Sequence, residues 1–175
     1  THAMEMVAAS KMRKAQDRQS KSLHYARKIR GVVSHLANAH PEYRHSFLEV
    51  RPVNRVGLVI VTTDRGLCGP LNSNLLRLTI SYLKQYKESN IEVDICVIGN
   101  KGLSFFKRMG GHIVAHAEHL GDAPKASDLI GIVKIMLDRY ESGEIDQIML
   151  FHNRFINTMT QKADCIQLLP LQTEQ

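Results

Sequence analysis

Asp64 to Asn72 reads DRGLCGPLN, a glycine-bearing loop between a β-branched run and a helical pattern, where a phosphate-binding turn would sit. Its chemistry does not fit one. Gly66 and Gly69 form GxxG and not GxGxxG, Pro70 removes a backbone N–H that a phosphate would need, and no GxxxxGK[ST] occurs in the chain. The following apolar run closes as VIGN (Val97 to Asn100), with no acidic residue to hold a ribose. The glycines are read as permitting a tight turn, and no nucleotide or other cofactor is assigned. Asp64 beside Arg65 could form a catalytic pair, but a salt-bridged turn accounts for it. His112, His116 and His119 invite a zinc or nickel reading. On a strand, however, His119 would point away from the other two, so the three are read as surface residues and no metal is assigned. Cys68, Cys96 and Cys165 are odd in number and show no CxxC spacing, which argues against a disulfide framework and for a reducing compartment. GxSxG and HExxH are absent, so no catalytic residue is assigned.

These residues would be positioned by alternating elements. VGLVIVTT (Val56 to Thr63) has the β-branched density of a central strand buried on both faces. Strands follow at Ile91 to Gly99, His112 to Leu120 and Ile145 to Asn153, with a turn over RFINTMT and a final edge strand in QKADCIQLLPL. Helical patterns lie between them: NSNLLRLTISYLKQYKES after Pro70, NKGLSFFKRMGG, and SDLIGIVKIMLDRYESG with Ser127 as its cap and Leu129, Ile130, Val133, Met136 and Leu137 as its stripe. The order predicts an α/β fold: a long N-terminal coiled-coil-type helix, then a Rossmann-like three-layer domain with a mostly parallel sheet and an antiparallel tail strand. The expected division is a shaft helix over 1–40, an irregular connector over 41–55 in which Tyr43, Phe47 and Leu48 pin the shaft, and the globular domain over 56–175.

The shaft carries the charge. Residues 1–30 hold eight basic and two acidic side chains, a net +6 that equals the +6 of all 175 residues. At 1.5 Å per residue, forty helical residues span roughly 60 Å, which predicts a rod projecting from the globule. Small and apolar residues recur along it at alternating spacings of three and four, with Met4, Ala8, Ala15, Ser22, Ile29 and Leu36 forming a coiled-coil seam and Tyr25 and Val32 a second track. This seam calls for a helical partner. A basic helix suits an acidic protein, a phosphate backbone or an anionic membrane. No aromatic residue interleaves with the charges before Tyr25, and the apolar face is rich in alanine, so an acidic protein surface fits best. Met4, Met6 and Met12 read as adaptable packing groups. No run of eighteen apolar residues and no export pattern is found.

Three stretches then carry a resemblance: AMEMVAASKMRKAQDR (Ala3 to Arg18), TDRGLCGPLN (Thr63 to Asn72) and FINTMTQ (Phe155 to Gln161), with IGNKGLSFF and DLIGIVK in the same order. They resemble the gamma subunits of F-type ATP synthases over essentially the whole chain. The resemblance implies a non-catalytic rotor shaft that couples proton-driven rotation to ATP synthesis or hydrolysis on other chains. It also implies that this sequence is a piece lacking the start of the N-terminal helix and a C-terminal helix that would partner the seam. By the same resemblance Met4, Lys11, Arg13 and Lys14 would face acidic loops of the catalytic beta subunits. The implied partners are the alpha, beta and epsilon subunits and the c-ring, with no nucleic acid and only indirect membrane contact. The implied location is the cytoplasmic face of the bacterial inner membrane, because the cysteine insertion of chloroplast relatives is not seen. The sequence departs from the family pattern at His2, where a lysine is expected, and at Pro70, where a second glycine is. The competing readings are a Rossmann-like enzyme with an unrecognised site and a basic coiled-coil nucleic-acid binder.

Overall fold

The computed structural model describes residues 2–64, 69–120, 125–157 and 160–172; the side chains of residues 2, 8–24, 69–71, 126 and 155 lie outside the described residues. Five helices and five strands are described: α1 (His2–Ala39), α2 (Pro41–Leu48), β1 (Arg55–Val61), α3 (Gly69–Glu88), β2 (Glu92–Ile98), α4 (Asn100–Met109), β3 (Ile113–Ala117), α5 (Ala126–Glu141), β4 (Gln147–Asn157) and β5 (Thr160–Leu169). The strands form one sheet in the order β3-β2-β1-β4-β5. β1 lies at its centre, parallel to β2 and β4, and β5 closes the edge antiparallel to β4. The expected α/β class, the parallel core and the antiparallel tail are all present.

Burial on both faces explains the central strand. Every residue from Val56 to Val61 is buried. Val56, Leu58 and Ile60 pack with Leu75 of α3 and with Leu103 and Phe106 of α4. Val59 and Val61, pointing the other way, join Leu129, Val133, Met136 and Leu137 of α5 and Tyr25, Ile29, Val32 and Val33 of α1. The helices after β1 and β2 cover one face as the chain steps outward. The chain then returns over the other face through α5 to β4, as right-handed crossovers require. β1 and α5 approach so closely at Gly57 that an added Cβ would lie 2.5 Å from Met136 Cε.

The structure corrects the expected picture of the first forty residues. They do not all project as a rod. Tyr25, Ala26, Ile29, Val32, Val33 and Ala37 are buried against α5 and the sheet, so the last four turns of α1 form half of one helical layer. Two seam positions, Ile29 and Leu36, therefore find their partner within this chain. A period of three and four cannot distinguish a helix facing a second helix from one facing a sheet, because both bury a single stripe. Met4, Met6 and Val7, by contrast, are 77%, 61% and 54% exposed.

Smaller differences have local causes. The expected irregular connector holds α2, whose Pro41 supplies a ready φ at the first helical position. Phe47 is fully buried, stacks with Tyr43 at 5.5 Å and meets Tyr140 edge-on at 6.1 Å, while Leu48 is exposed. Ser127 sits inside α5 without capping it, and Ile130 faces solvent. β4 runs through Arg154 to Asn157, where a turn was expected, because β5 pairs with it beyond the end of β1.

If α1 is anchored only by its final turns, amide protection should divide along it. In hydrogen exchange on the 175-residue chain, Ile29, Val32 and Val33 should exchange near the global unfolding limit and Met6 and Val7 orders of magnitude faster. Uniform protection would contradict the division.

Candidate functional site

In a doubly wound sheet the place to look for a ligand is the crevice at the carboxyl ends of the strands, where the strand order reverses between β1 and β4. Here that edge is bonded to itself. The Thr62 hydroxyl donates to Ile98 O at 2.8 Å and accepts from Gly102 N at 2.9 Å. Gly99, at φ +97°, packs directly on the Thr62 backbone where any side chain would collide. Asn72 donates to the Thr63 hydroxyl at 2.7 Å. The Asp64 carboxylate accepts from Asn100 N at 3.0 Å and from His119 N at 3.1 Å. Asn100 opens α4, so an internal carboxylate occupies the helix N-terminus that could otherwise draw a phosphate. The expected Asp64–Arg65 turn involves Arg65, which with Gly66, Leu67 and Cys68 lies outside the described residues.

The opposite edge holds a cluster that sequence reading missed. Asp94 on β2 is fully buried and accepts from Arg55 at 2.7 Å, from Arg139 at 2.6 Å, and pairs with His112 Nδ1 at 2.8 Å. Burial by itself would push its carboxyl up; the hydrogen bonds from Arg139, His112 and Arg55 outweigh this and hold it below the usual carboxylate range. Arg55 also pairs with Glu92 at the surface. Nearby, Arg51 donates to Asp146 and to the carbonyls of Tyr140 and Ile145, and its guanidinium lies 4.3 Å from the Tyr140 ring centroid. The signal was present: Asp94 interrupts the run IEVDICVI, and an acid in an apolar strand requires cations. What could not be read was which cations.

The three histidines do not converge. His112 precedes β3 and is paired with Asp94, His116 is exposed on β3, and His119 follows it with φ +60°. Among the described residues no group of three or more His, Cys, Asp and Glu could hold a metal. Burial pushes the Cys96 thiol up to about 12 and the Cys165 thiol to about 11, so both are protonated at neutral pH and poor nucleophiles.

On α1, Met4 is exposed. The side chains of Ala8, Lys11, Arg13, Lys14, Ala15 and Ser22 lie outside the described residues. Where α1 enters the domain it passes over His152 of β4, which is buried with no hydrogen-bond partner on either ring nitrogen. Among the described residues no helix is long and apolar enough to cross a membrane.

The family model described as ATP synthase matches residues 1–175. The chain belongs to the ATP synthase family. Curated relatives are the ATP synthase gamma chains of Coxiella burnetii, 57% identical over all of this chain, and of Legionella pneumophila, 57% identical over 98% of it. The chain spans 61% and 59% of the length of those two relatives. Among solved structures, the central stalk and c-ring of the Tetrahymena thermophila mitochondrial ATP synthase matches with a TM-score of 0.60 at 24% identity, covering 97% of this chain and 71% of that one. The rotor of the Euglena gracilis mitochondrial ATP synthase matches with a TM-score of 0.51 at 19% identity, covering 90% of this chain and 59% of that one. At these identities the two structures establish a shared fold with this ATP synthase family member.

Two measurements follow. Asp94→Ala strips the acceptor from two guanidinium groups that are partly solvated; urea unfolding should show a loss of about 3 kcal/mol, the low end for breaking a buried pair. A change under about 0.5 kcal/mol would mean that the cluster is ornamental to stability. At mildly acid pH, His152 should dominate. Burial lowers its pKa, the Asp164 charge raises it in part, and the Arg30 and Arg154 charges lower it further, leaving the ring below its ordinary value. The unfolded chain then binds the proton first, so stability is complete above about pH 6.5 and falls as pH drops below it. His152→Leu should flatten the decline between about pH 6.5 and 5; an unchanged slope would remove His152 from the account.

Proposed function

We propose that this chain serves in the central rotor of an F-type ATP synthase, coupling proton-driven rotation to ATP synthesis or hydrolysis at catalytic sites on other chains and performing no catalysis itself. The observation that carries this reading is the match to the ATP synthase family over residues 1–175, with relatives that are gamma chains.

The mechanics are consistent with it. A 38-residue helix is gripped at one end by a three-layer domain and is exposed at Met4, Met6 and Val7 at the other. A torque applied to the domain is passed to the helix through Tyr25, Ile29, Val32, Val33 and Ala37, all in one packed layer. Burial of each Ile or Val side chain is worth about 1.5–3 kcal/mol, and close-packed interiors deform little, so the joint turns as a unit. In this reading Met4, Lys11, Arg13 and Lys14 face acidic loops of the beta subunits, and Ala8, Ala15 and Ser22 pack against a C-terminal helix of the longer gamma chain. Charge attraction makes few directional demands and suits a shaft that meets equivalent partners in turn. The alpha and beta subunits, the epsilon subunit and the c-ring are its partners, and the cytoplasmic face of the bacterial inner membrane is its location. The enzyme reading is disfavoured by the self-bonded strand-end crevice, where Asp64 takes the α4 N-terminus.

Reconstitution tests the proposal. A gamma chain of Coxiella burnetii in which these 175 residues replace the matching segment should restore proton-coupled ATP hydrolysis to gamma-depleted bacterial enzyme, while calorimetry of the 175-residue chain with Mg-ATP should show no binding. Failure of coupling in a correctly assembled chimera, or tight nucleotide binding by the chain alone, would overturn it.

A further inference from the structure

The attraction that draws α1 onto the sheet is apolar and non-directional, whereas hydrogen bonds set direction as well as distance. The chain leaving α1 runs into a set of such bonds. Only His40 separates α1 from α2, and backbone bonds cross it, from His40 N to Leu36 O and from Arg44 N to His40 O, both at 3.1 Å. At the far end of α2, Phe47 is fully buried against Tyr140 of α5, and its carbonyl accepts from Leu171 N, just past β5, at 2.6 Å. Tyr140 in turn donates its hydroxyl to Glu49 O at 3.0 Å. Arg51 completes the set. Its Nη2 donates to Tyr140 O at 2.7 Å and to Ile145 O at 2.6 Å, and its Nε donates to the Asp146 carboxylate at 3.2 Å, with the guanidinium 4.3 Å from the Tyr140 ring centroid. The other Asp146 oxygen accepts from Asn54 N at 2.8 Å and from Arg55 N at 3.1 Å, where β1 begins. The Arg51 and Asp146 side chains are 20% and 13% exposed, so water competes little for these bonds.

We propose that Arg51 is the positioning residue of the joint between the long helix and the domain: its guanidinium ties the segment leaving α1 and α2 to the carboxyl end of α5 and the entry to β4, and so fixes the angle at which α1 leaves the domain. Two features assign this to Arg51 in particular. Its acceptors belong to two separate places in the fold, the last turn of α5 and the residues before β4, and a planar fork reaches them together while lying on the Tyr140 ring, which an ammonium cannot do. Tyr140 O is one of the carbonyls beyond the intrahelical ladder of α5, where a cation is favoured. Arg51 acts through Tyr140 and Phe47, which carry the constraint to α2 and so to α1. The inference deepens the rotor reading and rests on it for its mechanical consequence: without the directional bonds the joint yields under load, and the domain turns without carrying the exposed end of α1 with it.

Two arms test it. In the 175-residue chain, Arg51→Ala should speed hydrogen exchange at the Glu49 and Leu171 amides, which bond within this joint, by about tenfold relative to Val59 and Val97 of the sheet, the effect of one lost charge-assisted hydrogen bond. Arg51→Lys should do the same, because it keeps the charge and loses the fork. In the Coxiella burnetii chimera, reconstituted into vesicles with gamma-depleted enzyme, both variants should keep ATP hydrolysis and lose proton pumping. Leu75→Ala, which opens a cavity under α3 and lowers Tm without touching this joint, should keep both. Unchanged exchange at Glu49 and Leu171, full pumping in Arg51→Ala, recovery of exchange and pumping in Arg51→Lys, or an equal loss of pumping in Leu75→Ala would each overturn the inference. A chimera with Arg51 intact that hydrolyses ATP without pumping overturns the rotor reading instead, and the exchange arm then still decides whether Arg51 fastens the joint.

Discussion

A parallel sheet whose middle strand is apolar on both sides must be covered on both sides, and most of this architecture follows from meeting that demand. Val56 to Val61 present alternate side chains to two helical layers, and all of them are buried. One layer is supplied by α3 and α4. The other needs two helices, and only α5 comes from the strand-helix alternation; α1 provides the second. The long helix is therefore a structural wall of the domain at one end and an exposed element at the other. That dual role is what a shaft fixed to a base requires: the same residues that complete the core also prevent the helix from turning independently of it.

The same demand shapes the polar residues. Both ends of the sheet leave backbone and carboxylate groups to be satisfied, and the chain satisfies them internally. Asp64 and Thr62 bind the strand-end loops to one another. Asp94 draws Arg55, Arg139 and His112 around it at the other edge, and Arg51 bridges α5 to the strands through Asp146 and the Tyr140 carbonyl. A doubly wound fold usually keeps a crevice for ligands where its strand order reverses. Here the described groups at that crevice bond to one another, Thr62 to Ile98, Asn72 to Thr63 and Asp64 to Asn100, while Met4, Met6 and Val7 of α1 stay exposed.

Much of this was legible in the residues themselves. The β-branched run at Val56, the helical stripe at Leu129, Val133, Met136 and Leu137, and the turn chemistry around Pro70 are local patterns, and they placed the central strand, α5 and the start of α3. The wording of three motifs carried the resemblance to the ATP synthase family, whose model covers the whole chain, and the concentration of positive charge in the first thirty residues pointed to an acidic protein surface. These are properties of neighbours in sequence, set by backbone sterics, side-chain period and composition, and they need no fold to be read.

What only the tertiary structure decided is who meets whom. The stripe on α1 announces that one face is buried, but whether Ile29 packs on a helix or a sheet depends on the distance between α1 and β4 in space, not on spacing along the chain. The acid in IEVDICVI requires cations, yet Arg55, Arg139 and His112 come from three separate segments and meet at Asp94 only once the crossovers have closed. Gln161 is an ordinary polar residue on a strand in the sequence, and only the fold leaves its carboxamide buried without a hydrogen-bond partner. Period and composition act over a few residues, whereas burial, ion pairing and unsatisfied hydrogen bonds are sums over everything the fold brings within reach, so the first can be read from the chain and the second cannot.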